Sequence, residues 1–327
     1  VNGLREWLRA RFGIGARLVA PDDAPVDPER DATSKHWGER ARELETEHRP
    51  TAWTDSPLVN RLYIHPLVSG TADTGWLSYV ARQHFPKPVG LALSLGCGGG
   101  GLERHGFDLK IAREFHGLDV AQGAIAMAQE LARHPRKRRI RYEVADLNTL
   151  VLPENRFNTV FASQSVHHIT ALEHYLDQVR RTLKPGGLFI FNEFVGATQF
   201  QWPDAQLAHA NAMLARIPER YRDSIRGHGL KTHIERPTLE LMNQIDPTEA
   251  IRSADILAEV DARFELVEAR DFGGTLLQLV LEDIVGNFRD TPEDIAVLQS
   301  LFDEEQALLA SGALQSDFTL RVMRNAK

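Results

Sequence analysis

Between Leu91 and Val195 the chain alternates short apolar runs with helical patterns, and this alternation constrains its fold more than any other feature. The runs are LALSL (91–95), EFHGLDV (114–120), IRYEVAD (140–146), FNTVFAS (157–163) and GLFIFNEFV (187–195). Helical patterns over 100–106, 121–134 and 170–183 lie among them. Near-continuous apolar strands joined by helical crossovers predict a parallel sheet covered on both faces, with right-handed connections. Two later segments, RFELVEARDF (263–272) and SDFTLRVMRN (316–325), read as further strands with a helical stretch between them. Residues 198–258 interrupt the rhythm and are largely helical, with loops around RGHGLKTHIERP and QIDPTEAIRSAD.

The first run leads into GCGGGG (96–101), five glycines in six residues. Glycine costs roughly 0.5–1 kcal/mol against alanine in regular structure, so this turn needs its bare backbone. Gly96, Gly98 and Gly100 form G-x-G-x-G just past the carboxyl end of a strand, where open parallel sheets bind ligands. Asp119 ends the next strand 23 positions after Gly96, close to the roughly 20 expected of an acid that accepts ribose hydroxyls. Asp146 ends the third strand and is followed by Leu147, an acid and an apolar residue that can flank an adenine. Loop and acids alone permit a nicotinamide dinucleotide, S-adenosylmethionine or another adenosine ligand.

Composition narrows the class. Hydrophobic content of 43% and charged content of 25% are those of an ordinary globular chain. A net charge of −7 argues against a dedicated nucleic-acid binder. The basic stretch HPRKRRIR (134–141) reads as a solvated helix-to-strand loop on the face opposite the glycines. The single cysteine, Cys97, excludes an internal disulfide framework, suits a reducing, cytoplasmic setting, and has no paired base to make it a nucleophile. No segment approaches the roughly 18 apolar residues of a membrane span. The 13 histidines form no H-E-x-x-H pattern, and no metal is expected. Leu4, Trp7, Leu8 and Phe12 share one helical face, a pattern open to a membrane-surface helix but read here as docking on the body or a second subunit, which makes a homodimer reasonable. A helical pattern over 37–47 follows a proline- and aspartate-rich linker (20–35).

VADLNTL, RFNTVFASQSVHHI and LDQVRRTLKPGGLFIFNEF follow the glycine loop in order. Together these motifs resemble the class I S-adenosylmethionine-dependent methyltransferases of the bacterial small-molecule or glycan type. The K-P-G-G turn before the fifth strand is characteristic of that family. The resemblance implies a Rossmann-like α/β fold: a mostly parallel seven-stranded sheet with a terminal antiparallel hairpin. A helical N-terminal cap (1–88), a cofactor-binding core (89–197), a helical acceptor lid inserted after the fifth strand (198–260) and the last two strands with an inserted helical segment (261–327) would make up the chain. It also implies that Gly96, Gly98 and Gly100 approach the methionine part of the cofactor, Asp119 the ribose, and Asp146 and Leu147 the adenine. Cys97, Val120 and Gln164 complete the expected cofactor contacts. Ser94 departs from the family, which often carries an acid two residues before the first glycine.

Methyl transfer from a sulfonium is an in-line displacement that leaves S-adenosylhomocysteine, and a protein base is needed only for an un-ionised acceptor. His167 and His168, just past the fourth strand, and Glu193, at the end of the fifth, are the candidates for catalysis. Each has a structural alternative in capping or loop bracing. For the acceptor, Trp202 offers a stacking surface, and His228, Lys231 and Arg236 make a cationic cluster suited to a carboxylate or phosphate. Arg252 has the same status as that cluster, and Trp53, Tyr63 or His65 is expected to line the pocket. The favoured function is methyl transfer to a small-molecule or glycan acceptor at oxygen. Two alternatives stand beside it: a non-catalytic regulatory or scaffold protein that binds the same cofactor, and an NAD(P)-dependent oxidoreductase.

Overall fold

The computed structural model describes residues 49–134 and 137–327. The expected N-terminal amphipathic helix, the linker and the helix over 37–47 lie outside the described residues. Seven strands form one sheet: β1 (Val89–Leu95), β2 (Ala112–Asp119), β3 (Ile140–Val144), β4 (Phe157–Ser163), β5 (Leu183–Phe194), β6 (Glu265–Asp271) and β7 (Phe318–Arg324). Their order is β3-β2-β1-β4-β5-β7-β6. The first five run parallel, and β7 lies antiparallel between β5 and β6. The chain therefore winds outward from β1 to β3 and returns beside β1 as β4. That reversal opens a crevice at the carboxyl ends of β1 and β4.

Alternation along each strand divides the core in two. Ala92, Phe161 and Ile190 point into one buried cluster, and Leu93, Val160, Phe189 and Phe191 into the other. The first face is covered by α1 (Trp76–His84), α2 (Gly101–Asp108) and α3 (Gln122–Leu131), joined by an N-terminal helical segment over 57–69. The second is covered by α4 (Leu172–Thr182), whose Leu172, Tyr175, Leu176 and Val179 form one buried stripe at helical spacing. The insertion carries α5 (Asp204–Arg216), α6 (Leu239–Ile245) and α7 (Ile256–Asp261). Between β6 and β7 lie α8 (Leu277–Leu281) and α9 (Pro292–Ala310). Thr291 starts α9 by accepting the Asp294 amide, with Pro292 at the first helical position.

One boundary differs from the sequence reading. Lys184-Pro185-Gly186-Gly187 lies within β5, as an irregularity where pairing with β4 steps from Phe157–Leu183 to Thr159–Leu188. Pro185 has no amide to give the ladder, and Gly186 supplies the left-handed φ of +70° that the bulge requires. Among the described residues, no helix is long and apolar enough to cross a membrane.

Candidate active site at the carboxyl ends of the strands

The chain leaves β1 through Gly96, Gly98 and Gly100 at φ of +71°, +49° and +76°. A Cβ at Gly96 would lie 2.3 Å from Ser165 Cβ, and one at Gly100 within 2.5 Å of the Tyr142 phenol. At Gly98 nothing lies within 4 Å, so that face of the loop is open. Asp119 holds the loop from the end of β2: one carboxylate oxygen accepts Gly98 N and the other Ala121 N, each at 2.8 Å. A carboxylate has about four acceptor sites, so two remain for hydroxyls. Burial raises the Asp119 pKa, while the amides of Ala121, Gly98 and Val120 work against that rise. Asp146 and Leu147 adjoin this corner, since Ala145 N donates to the Asp119 carbonyl at 2.9 Å. Cys97 is buried there, and desolvation, with Glu103 and Asp119 nearby, raises its thiol well above the usual range.

Ser94 is buried below the loop, and with it lies a residue the sequence reading passed over. Glu103, in the first turn of α2, has no exposed surface. Burial pushes its pKa up to about 7 against the Ser94 hydroxyl and its own helix-end amide. A first-turn acid looks like an ordinary surface residue complementing the helix dipole. Nothing in its spacing marks it as buried.

Beside the crevice lies a cavity of about 160 Å³ whose floor is Gln164 and Asn192 and whose roof is the N-terminal segment. Gln164 carries a φ of +51°, costing about 1–3 kcal/mol for a residue with a side chain. Its amide is pinned to the Asn192 carbonyl at 2.9 Å. Asn192 Oδ1 is buried without a hydrogen-bond partner. The roof contains a π-helical turn, Asn60–Ile64, a feature frequent at functional sites. Asn60, Ile64 and His65 line the cavity with Trp76 and Phe272. His65 Nδ1 lies 2.8 Å from the Ala72 carbonyl. A carbonyl only accepts, so Nδ1 carries a proton, and any lone pair the ring has is on Nε2. Of the three aromatics expected here, only His65 is a lining residue. Trp53 packs edge-on against Phe318 with centroids 5.2 Å apart, and Tyr63 donates to buried Glu305 at 2.7 Å.

His167, His168 and Glu193 do come together, outside the lining of this cavity. Successive strand residues face opposite ways, so Asn192 meets the cavity and Glu193 does not. Glu193 is fully buried and accepts Ser165 N, Val166 N and Phe194 N at 2.8, 2.7 and 2.7 Å. It also pairs with His167 Nδ1. Burial lowers the His167 pKa, but the Glu193 charge and hydrogen bond, with Glu249 and Asp246, outweigh it and carry the pKa to about 9. An imidazolium has no lone pair, so His167 is no base at neutral pH in this form. The insertion reaches this cluster: Glu249 lies 3.5 Å from His167 Nε2, and Ile251 N donates to the His167 carbonyl at 3.0 Å.

The residues expected to bind the acceptor have other partners. Trp202 is buried and stacks on Phe200 at 5.1 Å. Arg236 donates to the Trp202 carbonyl and pairs with Asp204. Lys231 Nζ donates to the carbonyls of Leu279, Val280 and Glu282, so it caps α8, and burial lowers its pKa to about 8. His228 is exposed, and Arg252 bridges Glu173 and Asp255. None of them lines the cavity. In the basic loop, Lys137 is tied to Asp108 and to the Arg104 carbonyl.

Residues 93–191 match the sequence family described as a methyltransferase domain. Phosphoethanolamine N-methyltransferase 2 of Caenorhabditis elegans is 30% identical over 105 residues, covering 31% of this chain and 23% of that protein. The human mitochondrial arginine-hydroxylase NDUFAF5 is 32% identical over 116 residues, covering 36% of this chain and 32% of that protein. The chain thus spans no more than about a third of either relative's own length. The fold is that of geranyl diphosphate C-methyltransferase from Streptomyces coelicolor, with a TM-score of 0.52, 12% identity, and coverage of 92% of this chain and 99% of that one.

Proposed function

We propose that this chain, whose residues 93–191 form a class I S-adenosylmethionine-dependent methyltransferase domain, methylates the hydroxyl oxygen of a small molecule or glycan unit. The observation that carries the reading is the pairing of an open Gly98 face with a mainly apolar cavity that carries a few polar groups at the next strand ends, the unpartnered Asn192 Oδ1 among them. A Cβ at Gly98 would fill that open face, and Asp119 keeps acceptor sites for two ribose hydroxyls. The residues present fit the cofactor. Asp146 and Leu147 would flank its adenine, and Cys97, Val120 and Gln164 would border it. Bound there, S-adenosylmethionine supplies an electrophilic methyl group on a sulfonium leaving group.

The chain's own part is alignment and proton transfer. Trp76, Ile64 and Phe272 give the acceptor an apolar wall that excludes water. Asn192 Oδ1, buried without a partner, takes a donor hydrogen from the ligand and so fixes its orientation. His65 Nε2 accepts the hydroxyl proton, its ring held by the Ala72 carbonyl. Holding reactants in one geometry can contribute roughly 7–11 kcal/mol to such a transfer. A scaffold that only stored the cofactor would have no use for a strained Gln164 beneath a roofed cavity.

Calorimetric titration with S-adenosylmethionine, S-adenosylhomocysteine and NADH tests the cofactor. Binding of the two sulfur compounds without NADH is expected; the reverse would move the chain to the oxidoreductases. An acceptor screen on His65→Gln then tests the base. That variant keeps cofactor affinity and loses about 10²–10⁴-fold in transfer to hydroxyls. Undiminished transfer removes His65 from the reaction.

A further inference from the structure

We propose that His167, His168 and Glu249 form a binding site for one divalent transition-metal ion, at the seam between the sheet rim and the insertion. His167 Nε2 lies 3.5 Å from Glu249 Oε1, and His168 Nε2 lies 3.8 Å from Glu249 Oε2. One ligand atom from each residue falls within 4.8 Å of the others. Nitrogen and oxygen ligands about 2.0–2.2 Å from a tetrahedral ion stand about 3.4 Å apart, so small side-chain adjustments close the set.

What separates this cluster from a surface ion pair is the support behind each ring. Histidines that hold a metal on one nitrogen typically hold a carboxylate or carbonyl with the other, which fixes ring orientation. Here His167 Nδ1 is bonded to Glu193, itself pinned by three backbone amides. His168 Nδ1 lies 3.2 Å from Thr248 Oγ1 and 3.7 Å from Asp246 Oδ2. The Thr248 hydroxyl in turn donates to Asp246 Oδ1 at 2.7 Å. Both rings thus present Nε2 toward the same carboxylate from braced positions. The two rings are 4.2 Å apart and tilted by 43°, converging without stacking flat.

Charge points the same way. Three carboxylates, Glu193, Asp246 and Glu249, surround two imidazoles, with Glu193 and Asp246 buried. A bound dication would displace the Nε2 proton of His167 and take over the balancing of these carboxylates. Imidazole and carboxylate donors favour zinc, manganese, iron, cobalt or nickel over calcium and magnesium, whose sites are built from oxygen. Three protein ligands leave coordination positions open. Asp246, Thr248 and Glu249 belong to the insertion and His167, His168 and Glu193 to the rim, so the ion would clamp one to the other. No spacing rule marks this set, because Thr248, the neighbour of Glu249, lies 80 positions from His168.

The test is cobalt(II) titration of the full chain after stripping with a chelator, read by visible absorption and without cofactor or acceptor. A saturable band at one ion per chain, displaced by zinc, is expected. Glu249→Gln and His168→Gln should each weaken binding at least tenfold, while His228→Gln, at an exposed site, should bind as the parent does. Circular dichroism melts in chelator should be alike for all four, which separates lost ligation from lost folding. No saturable band in the parent, or parental affinity in both Glu249→Gln and His168→Gln, overturns the proposal. Because the readout needs no S-adenosylmethionine, either outcome leaves the methyl-transfer reading standing or falling on its own titration.

Discussion

Replacing Glu103 by glutamine should stabilise the protein at alkaline pH and leave it nearly unchanged at acid pH. Glu103 is fully buried and its pKa is pushed up to about 7, from an ordinary value of 4.5. Between those values the native state keeps the proton and the unfolded chain releases it. Stability therefore falls as pH rises through this window, because the unfolded state binds fewer protons. The span of 2.5 units, at 1.36 kcal/mol each, makes the carboxylate cost about 3 kcal/mol above pH 7. Glutamine has nearly the same shape, keeps a polar head toward Ser94 and has no charge to desolvate. Urea unfolding of parent and variant at pH 5 and pH 8 measures the effect as a difference of differences, in which pH-independent packing changes cancel. The variant should gain about 2–3 kcal/mol on the parent between the two pH values. A gap of under 1 kcal/mol would refute the reasoning, for it would mean that Glu103 ionises beneath the loop at little cost.

Three further substitutions separate ligand contact from folding. Gly98→Ala, in open space at φ +49°, should cost about 1 kcal/mol of stability yet abolish S-adenosylmethionine binding by calorimetry. Gly96→Ala drives a Cβ into Ser165 and should cost about 1–3 kcal/mol more than that in a thermal melt; equal costs would mean that Ser165 yields freely. Lys231→Met should destabilise by about 2–3 kcal/mol, since three carbonyls lose a charged donor. Its cofactor affinity should match the parent, and a lowered affinity would return Lys231 to the ligand site.

The sheet was legible because its signals are local. Apolar runs of strand length, helices between them and a glycine turn after β1 are each written within a few residues. Asp119 was legible for the same reason, as the end of the second strand. The proposed acceptor side was not, because its residues are decided by tertiary partners. Lys231 and Arg236 look like free loop cations, and only the fold shows them bound to main-chain carbonyls of Leu279 and Trp202. His65 sits in a π-helical turn that propensities do not flag. Asn192 and Glu193 are neighbours on a strand, so strand parity alone sends their side chains off opposite faces.

That parity makes the tip of β5 the element on which both sites depend. Gln164 keeps its left-handed backbone because it is pinned on either side: its own amide to the Asn192 carbonyl, and the following Ser165 amide to Glu193 Oε2. Ser165 also donates to the Leu95 carbonyl at 2.9 Å and stands against Gly96. A change at Glu193 is thus felt on one side by the histidine cluster and the insertion latched to it. On the other it reaches the cavity floor and the start of the glycine loop. Glu193→Gln would keep a carbonyl for the amides but lose the charge that holds His167. The strain in Gln164, about 1–3 kcal/mol, is small enough to persist under two backbone hydrogen bonds and large enough to relax without one. The buried carboxylate of Glu193 is thus the fixed point of the β5 tip, holding three backbone amides and the His167 ring.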